Sequence, residues 1–491
     1  MSDNGVLHSP ALAVLISTLL GALMLVVLRA AFKEATHGKR RPVLWVLVVA
    51  PFAAGLVSLA LGDRFLAGPS APGTDVADKR LAASALRCGD PAGGTSALPC
   101  APQALSEWLN DLCRAEGRDG ACALPDPVPV YVLASEGGGI RSAYWTALAV
   151  EQLRRALPRF EQRTFGMTGV SGGSVGLAVY RACSLGTTDD ERARCIDRFG
   201  RHDLLASLVG SWFYEDVIAR LIPVRGCEHP GCGFLSRGLW FEHAMVSSVD
   251  HAPHDTSAPG QPLALGMIDS REQLKAATKG HVPYLFFNST WVETGERSIA
   301  SELVVDWQHF PGARDQIAQL GQRDVPLVTG AHNSARFPFT NALGAVHTSE
   351  AGCAPEAYAL RGVAAPGLLQ RCGHLADGGY FDNSGGQTAS DLLRLLHACL
   401  SAPPDAQRVE ACPGVPAAAR AQLALMLRPQ LVLVRNGVPP KPQNSVNCAA
   451  PPQPSPGDIQ LVQTAASATA LGQPLCAGNA ALFVDTLGPL I

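Results

Sequence analysis

Three glycine-rich turns carry the side chains of this 491-residue chain that could do chemistry. They are Gly137-Gly138-Gly139-Ile140-Arg141, Gly169-Val170-Ser171-Gly172-Gly173 and Asp377-Gly378-Gly379. The middle one has the Gly-X-Ser-X-Gly pattern of a nucleophile elbow. There a tight strand-to-helix turn, flanked here by Gly169 and Gly173, presents the Ser171 hydroxyl above a sheet edge. Consecutive glycines at 137, 138 and 139 let backbone N–H groups converge, which is what a tetrahedral oxyanion needs. A plain turn is the bland alternative. A nucleotide phosphate loop is a second, but the Gly-Lys-Ser/Thr ending is missing. Arg141 follows at a helix start, where it could hold a substrate phosphate or anchor the loop.

An attacking serine needs a base. In an α/β-hydrolase order the acid follows the serine and a histidine follows the acid. After Asp377 the sequence offers His397 alone, inside the helical stretch Leu392 to His397, where a lone histidine is most simply structural. An aspartate within hydrogen-bond reach can take the proton instead. Asp377 sits in a glycine turn that permits such an approach, so the residues point to a Ser171–Asp377 dyad.

These turns need a scaffold. Val128 to Ala134 reads as a short buried strand, followed by the Gly loop and a helix over about Ser142 to Leu157. Thr164 to Val170 is a second strand running into the elbow, and Gly172 to Ser184 a second helix. This alternation predicts an α/β domain with a mainly parallel sheet. Further strands are expected at Val282 to Asn288, Val325 to Thr329 and Gln430 to Arg435, with Pro326 weakening the middle one. Residues 186–280 read as a helical insertion or lid, with an apolar group at Leu208, Val209, Trp212, Phe213 and Tyr214; plain core is the alternative. His374, three residues before Asp377, reads as structural or as tuning that carboxylate.

In this order and spacing, the three motifs resemble those of the patatin-like phospholipase family. The resemblance covers about Val128 to Arg435 and takes in Asn288-Ser289-Thr290 and Ser334-Ala335-Arg336-Phe337-Pro338. It implies a three-layer α/β/α sandwich, hydrolysis of lipid acyl esters without a metal or other cofactor, Ser171 as nucleophile and Asp377 as base. Gly137 to Gly139 would form the oxyanion loop, with Arg141 near a phosphate. The chain departs from the usual Asp-Gly-Ala turn in having Asp-Gly-Gly. The expected reaction is cleavage of fatty acyl esters of phospholipids or lysophospholipids. Acyl transfer to another hydroxyl, or an inactive scaffold retaining the fold, are the alternatives.

Net charge is only −3, so no electrostatic argument favours a nucleic-acid partner. Charged residues make up 16% and hydrophobic residues 47%, a balance that leans towards a membrane protein. Residues 11–28 and 43–62 are uncharged runs separated by a basic loop, 29–42, with Arg29, Lys33, Lys39, Arg40 and Arg41. A helix of eighteen residues spans roughly 27 Å, about a bilayer core. Residues 1–64 are therefore expected to form a transmembrane hairpin in the cytoplasmic membrane, with membrane lipid as substrate partner. The catalytic domain would lie on the periplasmic side, because basic loops stay inside.

Residues 65–126 read as an Ala/Pro/Gly-rich stalk bearing a small helix, 127–436 as the catalytic domain and 437–491 as a Pro-rich irregular segment. The fourteen cysteines, none before Cys88, fall as seven near-neighbour intervals. These are 88/100, 113/122, 183/195, 227/232, 353/372, 399/412 and 448/476. Such clustering predicts local disulfides and an oxidising compartment. Cys227, His229 and Cys232 are too few for a metal site.

Overall fold

In the computed structural model, the described residues are 98–117, 122, 124–186, 188–213, 237–249, 261–319, 324–338, 340–341, 343–348, 370–403, 409–436, 462–464 and 481–485. The chain alternates between strands and helices as the apolar runs predict. After helix α1 (Ala101–Glu116) come β1 (Val128–Ser135), α2 (Gly139–Ala156), β2 (Thr164–Val170) and α3 (Gly172–Cys183). Three helices, α4 (Asp189–Arg201), α5 (Leu204–Phe213) and α6 (Arg237–Val249), then form most of the described insertion, and α7 (Met267–Thr278) leads back to the sheet. There follow β3 (Tyr284–Trp291), β4 (Arg297–Ser301), β5 (Ala313–Asp315), α8 (Leu327–Ser334), β6 (Gly344–Thr348) and β7 (Gln370–Asp377). Helices α9 (Gly386–Leu400) and α10 (Ala417–Met426) precede β8 (Leu427–Arg435), β9 (Val462–Thr464) and β10 (Ala481–Asp485).

The sheet has the order β5-β4-β3-β2-β1-β8-β10-β9, with β7 pairing onto β3 and β6 onto β7. Its centre, β3-β2-β1-β8-β10, is parallel. Strand alternation divides the core between two faces. Tyr131, Leu133, Met167, Leu285 and Phe287 pack against α2, α3, α6 and α8. Val130, Val132, Phe165, Tyr284 and Phe286 pack against α1, α9 and α10. The result is helices on both sides of one sheet.

Helix α1, in the segment read as a stalk, belongs to this core: Trp108 lies 5.2 Å from the Phe165 ring and donates its indole N–H to the Gln162 carbonyl. Helix α4 starts at a sequence-legible capping box, in which Thr188 and Glu191 satisfy each other's backbone N–H groups. Disulfides join Cys113 to Cys122, Cys183 to Cys195 and Cys399 to Cys412. Each closes one of the short intervals anticipated from the spacing.

Four expectations need correction. Val325 to Thr329 is not a strand: Pro326 is the N-cap of α8. A short apolar run does not distinguish strand from buried helix, and proline's fixed φ suits a helix start. The segment 437–491, expected to be irregular, supplies β9 and β10; the run Ala481–Asp485 is apolar enough to extend the sheet beside β8. The transmembrane hairpin and the multi-pass inner-membrane location are not supported either. Among the described residues no helix is long and apolar enough to cross a membrane, so the architecture supported is an α/β domain with a mostly parallel sheet. The two runs that prompted those expectations, 11–28 and 43–62, lie outside the described residues, as do Cys88, the 227/232 pair, Cys353 and the 448/476 pair.

Candidate functional site

Three sheet junctions meet at one point. β1 ends at Ser135 and releases the Gly137–Gly139 loop into α2; its neighbour β2 ends at Val170 and turns through Ser171 into α3. β7 runs antiparallel to β3 in register Ser289–Asp377, so its last residue arrives beside the same edge. Ser171 and Asp377 are 206 positions apart in sequence, yet the serine hydroxyl donates to Asp377 Oδ2 at 2.6 Å.

The elbow is strained and closely packed. Ser171 has φ 52° and ψ −123°, a conformation rare outside glycine. A Cβ on Gly173 would lie 2.5 Å from the Ser135 carbonyl oxygen, and one on Gly169 2.6 Å from the Ser174 nitrogen. Neither distance accommodates a side chain, so the glycines flanking Ser171 allow α3 to begin directly against β1. Ser171 stands at the N-cap of α3, where the free N–H groups and the helix dipole favour negative charge.

Asp377 is 4% exposed. Its Oδ1 accepts the Gly379 N–H at 2.8 Å, its own N–H donates to the Arg336 carbonyl at 3.0 Å, and its carbonyl accepts the Thr290 hydroxyl at 2.9 Å. With Oδ1 and the backbone held, Oδ2 is left for the serine. Burial pushes the carboxyl above the ordinary aspartate range, partly offset by the hydrogen bonds from Ser171 and Gly379. A carboxylate held in this way is a better proton acceptor than a solvated one.

The Gly loop divides its labour. Gly137 donates its N–H to the Asn383 carbonyl at 2.9 Å, so this glycine docks the loop rather than facing an oxyanion. Among the described residues Gly138 and Gly139 N–H have no acceptor, nor does Gly172 N–H, and all three glycines line the cavity that contains Ser171. Close packing requires glycine at 138, because a Cβ there would fall on the Asn436 side-chain amide. Arg141 lies on the outer side of this loop. It donates to the Asn436 Oδ1 and carbonyl oxygens, both at 3.0 Å, tying the loop to the end of β8. Of the two roles open to it, the contacts correspond to the anchor; Arg141 does not line the cavity.

The histidines have other partners. His374 is bonded to Glu293 at 2.7 Å, His332 to Glu242 at 2.7 Å and to Asn341 at 2.6 Å, and His397 is exposed on α9. Among the described residues no group of three or more His, Cys, Asp or Glu side chains is placed to hold a metal ion.

Above the dyad opens a cavity of about 680 Å³. Val175, Phe199, Leu204, Leu208, Val209 and Phe241 make its walls, and helices α4, α5 and α6 of the 186–280 insertion supply all of these but Val175. Beside the dyad, Thr340, Asn341 and Asn383 are polar residues of its lining. Around the opening Ile140, Leu205, Phe337 and Tyr380 line the cavity and remain exposed, between 38% and 57% of their surface. The last two stack with ring centroids 6.0 Å apart. Leu208 and Val209, singled out in the sequence, are wall residues; the side chains of Trp212 and Phe213, and Tyr214, fall outside the described residues.

Spacing assigns no role to Asn288 or Ser334, which the sequence presents only within the segments of the family resemblance. Ser334 and Asn288 hold the backbone of the elbow from behind: Ser171 N–H donates to Ser334 Oγ at 2.9 Å, and Asn288 Nδ2 donates to the Gly169 carbonyl at 2.8 Å. The local signal for the placement of Ser334 is Pro326, which marks the start of the helix ending in that serine.

No family model matches the chain, and no curated protein matches it. Among solved structures it is similar to VipD from Legionella pneumophila, with 12% sequence identity and a TM-score of 0.24 over 63% of this chain and 50% of that one. The chain thus spans half the length of that structure, and a likeness this slight carries no argument about function.

Proposed function

We propose that this chain is a serine acyl hydrolase that cleaves fatty acyl esters of lipids, phospholipids or lysophospholipids being the substrate class. The observation that carries the reading is the 2.6 Å hydrogen bond from Ser171 to a buried Asp377 at the base of an apolar cavity. The resemblance of the three glycine motifs to patatin-like phospholipases supports the same reading, independently of the geometry.

In the first step Ser171 Oγ attacks the ester carbonyl while its proton passes to Asp377 Oδ2. The charge that develops on the carbonyl oxygen is met by the free N–H groups of Gly138, Gly139 and Gly172 and by the N-terminus of α3. Collapse of the tetrahedral intermediate expels the alcohol, which leaves with the proton held by Asp377. Water then attacks the acyl-enzyme while Asp377 takes its proton; the fatty acid departs and Asp377 returns that proton to Ser171 Oγ. Acyl chains suit the apolar wall, since each methylene removed from water contributes about 0.8 kcal/mol.

Purified protein is to be assayed for fatty acid release from phospholipids, lysophospholipids and neutral esters, beside Ser171→Ala. Release by the wild type and none above background by the variant is expected. A Ser171→Ala protein that hydrolyses at the wild-type rate would sink the assignment.

A further inference from the structure

The nucleophile elbow rests on a third serine. Ser334, the last residue of α8, is fully buried, as are its neighbour Ser174 and, at 4% exposure, Asn288. Its hydroxyl donates to the Asn288 carbonyl at 2.5 Å. It also lies 2.8 Å from Ser174 Oγ and accepts the Ser171 N–H at 2.9 Å. A hydroxyl has one proton and two lone pairs. With its proton committed to Asn288, Ser334 can only accept from Ser174, so both lone pairs and the proton are occupied. That saturation leaves the Ser334 hydroxyl one orientation, which sets the direction of the Ser171 N–H bond.

What stands behind Ser334 is equally committed. Asn288 Nδ2 donates to Thr168 Oγ1 at 2.7 Å and to the Gly169 carbonyl at 2.8 Å. Asn288 Oδ1 accepts the Thr388 hydroxyl at 2.5 Å; Thr388 in turn accepts from the buried Arg297, which is paired to Asp391 at 2.6 Å. The strained residue, with φ 52°, is thus held from its own N–H and from the carbonyl two positions before it. Both holds trace to one residue: Asn288 uses its carbonyl on Ser334 and its side chain on Gly169.

We propose that Ser334 is a positioning residue for the acyl-transfer chemistry, fixing the Ser171 backbone so that Oγ stays on Asp377 and the Gly172 N–H stays turned into the cavity. The inference rests on the assignment of Ser171 as nucleophile. A second consequence is that the Ser171 N–H is spent on Ser334 and takes no part in binding the oxyanion, leaving that task to Gly138, Gly139 and Gly172.

The test compares wild type, Ser334→Ala, Ser334→Cys and Ser334→Thr. Each is titrated with a fluorophosphonate to count competent sites, then assayed with a soluble p-nitrophenyl acyl ester. Removing a buried acceptor and shifting the attacking atom should lower kcat per titrated site about ten- to a hundredfold in Ser334→Ala, with KM unchanged. Ser334→Thr, which keeps the hydroxyl, should recover to within a few-fold of wild type. If the alanine variant does not fold, Ser334→Cys carries the test, because a thiol leaves no cavity but accepts hydrogen bonds weakly. A fall in activity matched by fewer titrated sites, with kcat per site intact, assigns Ser334 to folding alone and overturns the proposal. So does a rise in KM at constant kcat. Wild-type protein that neither hydrolyses the ester nor reacts with the probe removes the nucleophile assignment itself, an outcome distinct from any difference among the position-334 variants.

Discussion

The floor and the wall of the cavity are built on opposite principles. At the floor Ser171, Asp377, Ser334 and Asn288 are joined by hydrogen bonds of 2.5 to 2.9 Å, nearly every donor and acceptor being used. The wall, from α4, α5 and α6, presents Phe199, Leu204, Leu208 and Phe241 and holds its shape by packing. Hydrogen bonds are directional and fix atoms to within fractions of an ångström; dispersion and burial are not, and accept chains of varied length. In the proposed mechanism, chemistry and fit are therefore separable. Floor substitutions should act on kcat, and wall substitutions on KM and chain preference.

The largest expected effect tests the floor. Asp377→Asn keeps the shape of the side chain but removes the proton acceptor, and kcat should fall about 10³- to 10⁴-fold while KM for a long-chain ester changes little. Steady-state kinetics checks this, and a fall confined to KM would merge floor and wall into one function. Next comes the wall itself. Phe241→Ala should raise KM for long acyl esters about ten- to a hundredfold, with a much smaller effect on a short-chain ester. A chain-length series measures it, and equal losses at every length would break the division.

The smallest effect is in pH dependence. In the proposed mechanism Asp377 must be ionised to accept the serine proton, and its carboxyl lies above the ordinary aspartate range because of burial. Activity is then full above that raised value and is lost as pH falls through it, so the acid limb of kcat/KM should lie higher than a solvated aspartate would give. Phe241→Ala should leave the limb in place, since it touches fit and not proton transfer. A limb at the ordinary aspartate position, read from a pH–rate profile, would show that burial does not tune this base.

How much of this is legible in the sequence depends on whether the signal is local. The strand Thr164–Val170 and the glycines around Ser171 announce the elbow because the turn's steric demands fall on consecutive residues. Val325 to Thr329 has the composition of a strand, so the start of helix α8 is not legible there, and Ser334, named only within the family resemblance, carries no role in the sequence. The role of Arg141 was open for a related reason: both a substrate phosphate and Asn436 lie beyond its sequence neighbourhood. Gly137 belongs to the expected oxyanion loop, yet the Asn383 carbonyl takes its N–H, a contact spanning more than two hundred positions. Likewise the insertion's aromatic and aliphatic residues can be recognised as apolar but not as cavity wall.

By itself the sequence determined which residues could react and what turns would carry them: Ser171 between glycines, a glycine loop 32 positions earlier, and Asp377 in a third turn with no serviceable histidine after it. Only the tertiary structure decided that β7 pairs with β3 and so delivers Asp377 to the serine, that Ser334 and Asn288 hold the elbow, and that α4 to α6 close an apolar cavity over it. The physical reason is range. Turn geometry and helix starts are governed by sterics within a few residues, whereas hydrogen-bond partners and cavity walls are set by which surfaces the folded sheet brings together.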